Sequence, residues 1–221
     1  HHPPSPLHRT GGPGGSCRTD MKKGKLSRAS VWLNLVACLL IPVSTVLFAG
    51  NAPWLTSNFS VIAVQGKEQY QDFWQWGLLV GGYLAVVLFQ IGRTFADRGV
   101  RRAIYLITLT SCACLGCAMS FPYLPQFLPR VAFLHVLWAG TACILIMLAL
   151  FLPLACGWKE NRGQYAPLLL AWAGIAVGSG LLLAAAGMVS SLLEIFFTVS
   201  ATLLSRSLWM SRKRRQVQRS F

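Results

Sequence analysis

Residues 166–209 read APLLLAWAGIAVGSGLLLAAAGMVSSLLEIFFTVSATLLSRSLW, an apolar stretch in which Glu194 and Arg206 are the charged residues. A helix that spans the hydrocarbon core of a bilayer needs about 20 mostly apolar residues. The stretch is long enough for two such helices, and the small and polar residues at 187–191 permit a tight turn between them. It therefore predicts two membrane-spanning helices, 166–186 and 190–209.

The rest of the chain repeats this pattern. Hydrophobic residues form 54% of the 221-residue chain and charged residues only 12%, whereas soluble domains carry roughly 25% charged residues. This composition excludes a soluble fold, and its hydrophobicity excludes general disorder. We predict an all-α, polytopic transmembrane bundle of six helices over 31–209, between a disordered basic N-terminal tail at 1–30 and a basic cytoplasmic tail at 210–221. The other four spans are 31–50, 73–92, 103–121 and 131–156.

The basic residues predict how the bundle is oriented. With the N-terminus in the cytoplasm, 18 of the 20 Lys and Arg residues fall on the inner side, and Lys67 and Arg130 fall outside. This asymmetry is typical of membrane proteins, so we predict an integral, multi-pass protein with both termini cytoplasmic and the lipid bilayer as its partner. The pattern does not distinguish the plasma membrane from an endomembrane. Nucleic-acid binding is not indicated, because the basic residues flank apolar runs.

The first loop, 51–72, carries a possible modification site. Asn58-Phe59-Ser60 is a glycosylation acceptor triplet. The charge asymmetry places this loop outside, so the sequence predicts a glycoprotein modified at Asn58.

Two ionisable residues inside the apolar runs are candidates for a solute or proton pathway. A carboxylate such as Glu194 inside a span costs about 2.5–3.5 kcal/mol, and it therefore usually faces a partner or a water-filled cavity. His135 lies at a similar predicted depth, so a Glu194–His135 pair is one hypothesis. The alternative is that Glu194 lies near the outer headgroups. Asn34 and Tyr83 are further candidate cavity residues.

The cysteines do not predict a metal site or a cofactor. Cys112, Cys114 and Cys117 lie within an apolar run, and the only histidine outside the N-terminal tail is His135. Zinc needs four ligands in a compact tetrahedron, so small helix-packing residues are the better interpretation. No nucleophile–base pair, paired carboxylates or phosphate loop is visible, and an enzyme is therefore not predicted.

A resemblance to a known family appears in the inner loops. Residues 92–102 read GRTFADRGVRR, and residues 160–164 read ENRGQ before a helix with the pattern Gly174-x-x-x-Gly178. The first segment resembles the loop 2–3 signature of the major facilitator superfamily, G-x-x-x-D-R-x-G-R-R, although its first glycine stands one residue early and Gly99 and Val100 are in reverse order. The second segment resembles that family's E-x-R-G loop and glycine-rich fifth helix.

This resemblance implies a facilitator-type small-solute transporter that works by alternating access. It covers 31–209, which is one six-helix half of the family's fold, so it also implies a second six-helix half or a homodimer as partner. In that family the inner gate consists of charged residues at the inner helix ends. The matching positions here are Asp97, Arg98, Arg101, Arg102, Glu160 and Arg162.

A different class of membrane protein stays open as the alternative. Pro53-Trp54 after the first span is similar to the claudin-like tetraspan proteins, which have a Trp at this place. The first loop lacks their Gly-Leu-Trp and paired cysteines, and the apolar runs number six, not four. This alternative predicts a membrane scaffold or adhesion protein that transports nothing.

Overall fold

The computed structural model describes residues 28–219, all of whose regular secondary structure is helical. The predicted tail at 1–30 lies outside this range except for 28–30, which are helical, and residues 220–221 also lie outside it. The elements are α1 (Arg28–Leu35), a π-helical turn (Val36–Leu40), α2 (Ile41–Ala49), α3 (Phe59–Ala63), α4 (Lys67–Arg93), α5 (Arg98–Ser120), α6 (Pro129–Glu160), α7 (Arg162–Ala186) and α8 (Ser191–Arg219).

Within residues 28–219, six helices are long and apolar enough to cross a membrane, which confirms the predicted all-α bundle with six candidate spans. The first is the continuous helix Arg28–Ala49, formed by α1, the π turn and α2. Its π turn ends at Leu40, two residues before Pro42. Proline has no backbone N–H and crowds the carbonyl four residues earlier, so the widened turn accommodates it.

The helices extend beyond the apolar runs that predict them. α4 begins at Lys67 rather than at 73, and α6 ends at Glu160 rather than at 156. The largest difference is at α8, which continues to Arg219, so residues 210–219, predicted as a tail, are helical and continuous with the last candidate span. Lys, Arg, Gln and Glu are good helix formers. A helix therefore does not end where its sequence stops being apolar.

The core of the bundle lies around α4, which packs against α2, α3, α5, α6 and α8. Farther along the chain, α5 packs against α6, α6 against α7, and α7 against α8. Gly77 and Gly81 of α4 receive Met119 and Leu115 of α5, so this small-x-x-x-small pattern brings two backbones close together. Most of α7 is exposed, including Leu170 and Leu181, as expected of a surface that faces lipid.

The two ends of the bundle are formed by different connecting segments. One end, the cap end, carries residues 51–66, 121–128 and 187–190. The opposite end, the tail end, carries residues 94–97 and 161 together with the C-terminal part of α8.

Candidate functional site

Residues 51–66, here called the cap, fold over one end of the bundle and are tied to the start of α8. The backbone N–H of Ser191 donates to the Ser57 carbonyl at 2.6 Å, and that of Leu192 donates to the Trp54 carbonyl at 3.0 Å. Beside these tie points the short helix α3 is buried, and Phe59 has no exposed surface. The cap is therefore a packed part of the fold.

An aromatic cluster supports the cap from below. The ring centroid of Phe59 lies 4.9 Å from that of Trp76 and 5.1 Å from that of Phe48, both in edge-to-face geometry. Phe73 stacks on Trp76 with centroids 5.9 Å apart. Such pairs contribute about 0.5–1.5 kcal/mol each beyond the area that they bury.

Glu194 holds the first residue of α3. Its Oε2 accepts a hydrogen bond from the backbone N–H of Phe59 at 2.6 Å. The first N–H groups of a helix have no partner within the helix, so an oxygen acceptor from elsewhere in the chain is favourable there. Packing of the cap keeps water away from the backbone N–H of Phe59, and the partly buried Glu194 side chain supplies the acceptor that this donor needs.

His135 holds the next residue of α3. Its Nε2 lies 2.6 Å from Ser60 Oγ, and its Nδ1 lies 2.7 Å from the Ala118 carbonyl and 2.9 Å from the Phe121 carbonyl. Carbonyl oxygens only accept, so Nδ1 carries a proton. In the neutral ring Nε2 is therefore the acceptor and the Ser60 hydroxyl donates to it. The ring joins the cap to the end of α5.

The predicted direct Glu194–His135 pair is not what the structure shows. The two side chains bond to the consecutive residues Phe59 and Ser60, and they form no ion pair with each other in the described part of the chain. Both residues are recognisable in the sequence as unusual for a span. Their shared partner, α3, is not recognisable in the sequence, because this helix is too short and too mixed in composition.

Asn58 is the N-cap of α3 and is only 5% exposed. Its side-chain oxygen accepts from the Val61 N–H at 2.8 Å. A glycan needs the side-chain nitrogen of Asn58 to face water. The packed cap therefore conflicts with the prediction that Asn58 is glycosylated.

An ion-pair cluster, here called the latch, joins α6 to α8 at the tail end. It consists of Glu160, Arg212 and Arg215. Arg212 Nη1 lies 3.2 Å from Glu160 Oε2, and Arg215 pairs with the same carboxylate and donates to the Glu160 carbonyl at 3.1 Å. The side chain of Arg212 is only 4% exposed, whereas that of Glu160 is 34% exposed.

Arg212 also reaches the α4–α5 connection. Its Nε donates to Thr94 Oγ1 at 3.0 Å, and its guanidinium lies 3.9 Å from the centroid of the Phe95 ring. A planar guanidinium suits this combination of hydrogen bonding and stacking. Arg212 therefore connects α8 both to α6 and to the α4–α5 connection.

Most of the predicted inner-gate residues lie near the latch without joining it. Asp97 caps its own helix by accepting from the Gly99 N–H at 2.6 Å. Arg98, Arg101 and Arg102 form no ion pair within residues 28–219, and Arg162 lies over the Trp158 ring at 4.9 Å. Of the six predicted residues, Glu160 takes part in an ion pair between helices. Its partners were missed because 210–221 were assigned to a tail.

A smaller polar cluster lies along α8 between the cap and the latch. Arg206 Nε donates to Asn34 Oδ1 at 2.6 Å, which links α8 to the first spanning helix. The buried hydroxyl of Tyr83 lies close to Ser205 and Arg206. Two of the predicted cavity residues, Asn34 and Tyr83, are thus placed around a guanidinium that forms no ion pair with any described carboxylate.

The fold and its exposed apolar surface are those of a multi-pass membrane protein. No family model, no curated protein and no solved structure matches the chain. The likeness to the major facilitator superfamily therefore depends on the two loop motifs alone.

Proposed function

We propose that this protein is a facilitator-type carrier of a small polar solute that works by alternating access, with its tail end in the cytoplasm. The observation that carries the proposal is that α8 contacts the cap at one end of the bundle and forms part of the latch at the other end. Glu194 contacts the cap, and Arg212 belongs to the latch. These residues are 18 positions apart, which corresponds to about 27 Å of helix, close to the thickness of a bilayer core.

The solute would bind in the polar cluster between the closures. Arg206 lies about 18 Å from Glu194 along α8 by the helical rise, and its partner Asn34 is neutral. A charged side chain within a span usually marks a substrate or ion pathway. Asn34, Tyr83 and Arg206 are therefore the proposed solute contacts, and Glu194 and His135 hold the cap.

Alternating access in this protein would require the two closures to open in turn. A tilt of α8 that separates Arg212 from Glu160 would press its other end toward the cap, and the reverse tilt would pull Glu194 away from Phe59. The loop motifs that resemble the major facilitator superfamily lie next to the latch. In that family such a half works against a second half, so a further six-helix unit or a homodimer is part of the proposal.

One observation favours a second candidate, a scaffold without transport. Large apolar side chains fill the centre of the bundle, among them Leu88, Ile104, Leu150 and Leu208. In a scaffold the cap and the latch would be static supports. The two candidates differ in whether the ends of the protein are coupled.

Cysteine accessibility in proteoliposomes distinguishes the two candidates. In a background without the native cysteines, Ala63→Cys places a thiol at a buried position of α3, and a membrane-impermeant thiol reagent labels it when the cap opens. Gln65→Cys, at an exposed position, is the control for access to the reagent.

Breaking the latch is expected to close the cap. Glu160→Gln should lower the labelling rate of Ala63→Cys by about fivefold, the factor that corresponds to ~1 kcal/mol, and Glu194→Gln should raise it. Glu68→Gln, an exposed carboxylate on α4, should change nothing. A labelling rate that is the same with and without Glu160→Gln supports the scaffold.

A further inference from the structure

A groove on the side of the bundle lies between the first spanning helix and α4. It has a volume of about 300 Å³ and is lined by Ser44, Leu47, Phe48, Asp72, Gln75, Trp76 and Leu79. It is separate from the latch and the polar cluster around Arg206, and it shares Phe48 and Trp76 with the aromatic cluster under the cap. No step of the proposed transport uses it.

The walls of the groove are held in place by contacts between the two helices. Trp76 Nε1 donates to Thr45 Oγ1 at 3.0 Å, and the rings of Phe48 and Trp76 stack with centroids 6.2 Å apart. The groove is therefore a formed feature of the fold and does not depend on flexible side chains alone.

The polarity of the groove changes with depth. Asp72 and Gln75 lie toward the cap end of α4, and Leu79 lies seven residues after Asp72, which is about 10 Å deeper along the helix. On the facing helix Leu47 is an exposed apolar residue, and Leu78 beside the groove is another. On α4 the polar residues of the groove thus lie nearer the cap end than Leu78 and Leu79, whereas on the facing helix the apolar Leu47 lies nearer the cap end than the polar Ser44.

Asp72 gives the groove a charge that nothing in the described residues neutralises. It is exposed and forms no ion pair within 28–219. A charged group on a spanning helix is tolerated where it reaches the interface, and there it meets the charged headgroups of lipids. A cation delivered by the lipid itself would supply a partner for Asp72, and aromatic rings beside it favour an ammonium group.

We propose that this groove binds one zwitterionic phospholipid, with the ammonium of its headgroup on Asp72 and an acyl chain along Leu78 and Leu79. The opposite charges of carboxylate and ammonium and the polar-to-apolar order of residues along α4 determine this choice of occupant. The inference concerns a lipid site and holds whether or not the protein transports a solute.

Native mass spectrometry of the full-length protein in detergent tests the site. The probe is an equimolar mixture of phosphatidylethanolamine and phosphatidylglycerol with identical acyl chains. We expect the wild type to retain one phosphatidylethanolamine with about a tenfold preference, the factor that corresponds to ~1.4 kcal/mol. Asp72→Asn should abolish the preference and Asp72→Lys should reverse it. Glu68→Gln removes a carboxylate outside the groove and should leave the preference intact.

Four outcomes would overturn the proposal. They are equal retention of the two lipids by the wild type, an unchanged preference in Asp72→Asn, displacement of the lipid by free ethanolamine alone, and a lipid-free dimer in which a second copy covers the groove. Asp72 is exposed, so its variants are expected to fold. The thermal unfolding midpoint of each variant, measured in the same detergent, checks this.

Discussion

The carboxylate of Glu194 accepts a hydrogen bond from the backbone N–H of Phe59, 135 positions earlier in the chain, at 2.6 Å. This bond joins the start of the last spanning helix to the helix that covers the cap end of the bundle. It explains why a carboxylate is retained within an otherwise apolar stretch.

Removal of the Glu194 carboxylate is expected to loosen the cap. A buried donor left without its acceptor costs roughly 1–3 kcal/mol, so the Phe59 amide in Glu194→Ala should exchange with deuterium roughly five- to hundredfold faster. Hydrogen-exchange mass spectrometry of peptides within 54–63 measures this. Glu68→Ala serves as the control, and equal protection of Phe59 in both variants would contradict the role given to Glu194.

His135 and Ser60 are expected to act as a pair. Residues that share a hydrogen bond show coupling energies of about 0.5–3 kcal/mol in a double-mutant cycle. We predict a value in this range for His135→Ala with Ser60→Ala, measured by unfolding in mixed detergent micelles. Ser44→Ala, whose hydroxyl bonds within its own helix, should show no coupling to His135→Ala. Additive effects of the first two substitutions would mean that the contact contributes nothing.

Asn58 is expected to carry no glycan in the folded protein, because its side chain is buried and caps α3. Leu55→Asn provides the matched control, since it creates an acceptor triplet with Thr56 and Ser57 at an exposed position of the same loop. After expression in eukaryotic cells, treatment with a glycosidase should shift the mobility of Leu55→Asn and not that of the wild type. A shift of the wild type that Asn58→Gln removes would show that the cap is open when the protein is modified.

Arg212 is expected to matter more for stability than its basic neighbours. Arg212→Gln leaves Glu160 with fewer partners and removes the contacts to Thr94 and Phe95. Loss of one partner of a fully buried pair costs about 3–5 kcal/mol, and Glu160 is partly exposed, so we expect about 1–3 kcal/mol here. Arg214→Gln, an exposed position two residues away, should leave the unfolding midpoint unchanged. Equal loss in both variants would rule out a specific latch.

The spanning helices are predictable from the sequence because the requirement for lipid-facing apolar surface dominates their composition. The run at 131–156, for example, lies entirely within α6. The ends of the helices are less predictable, since polar helix formers continue α8 past 209 into the latch. A signal for Arg212 was present, however. Leu204, Leu208 and Arg212 recur at four-residue spacing, which places them on one face of a helix, and all three are buried.

The cap could not be predicted in the same way. Nothing in the composition of 51–66 indicates that a five-residue helix packs into the end of the bundle. Its position depends on contacts with Glu194 and His135, which are remote in sequence. Glu194 and His135 could be singled out because ionisable groups are costly in a span, but the cost of a group does not identify its partner.

We propose that the cap and the latch are never open at the same time. The distribution of distances between α5 and α8 at the tail end tests this most directly. Spin labels at Arg102 on α5 and Arg214 on α8, both exposed, would report the separation of these helices in nanodiscs by pulsed electron paramagnetic resonance. We predict a short-distance and a long-distance population. Glu160→Gln should raise the long-distance population, and Glu194→Ala, which frees the cap, should lower it. A single distribution that neither substitution changes would contradict alternating access and leave the protein as a static membrane bundle.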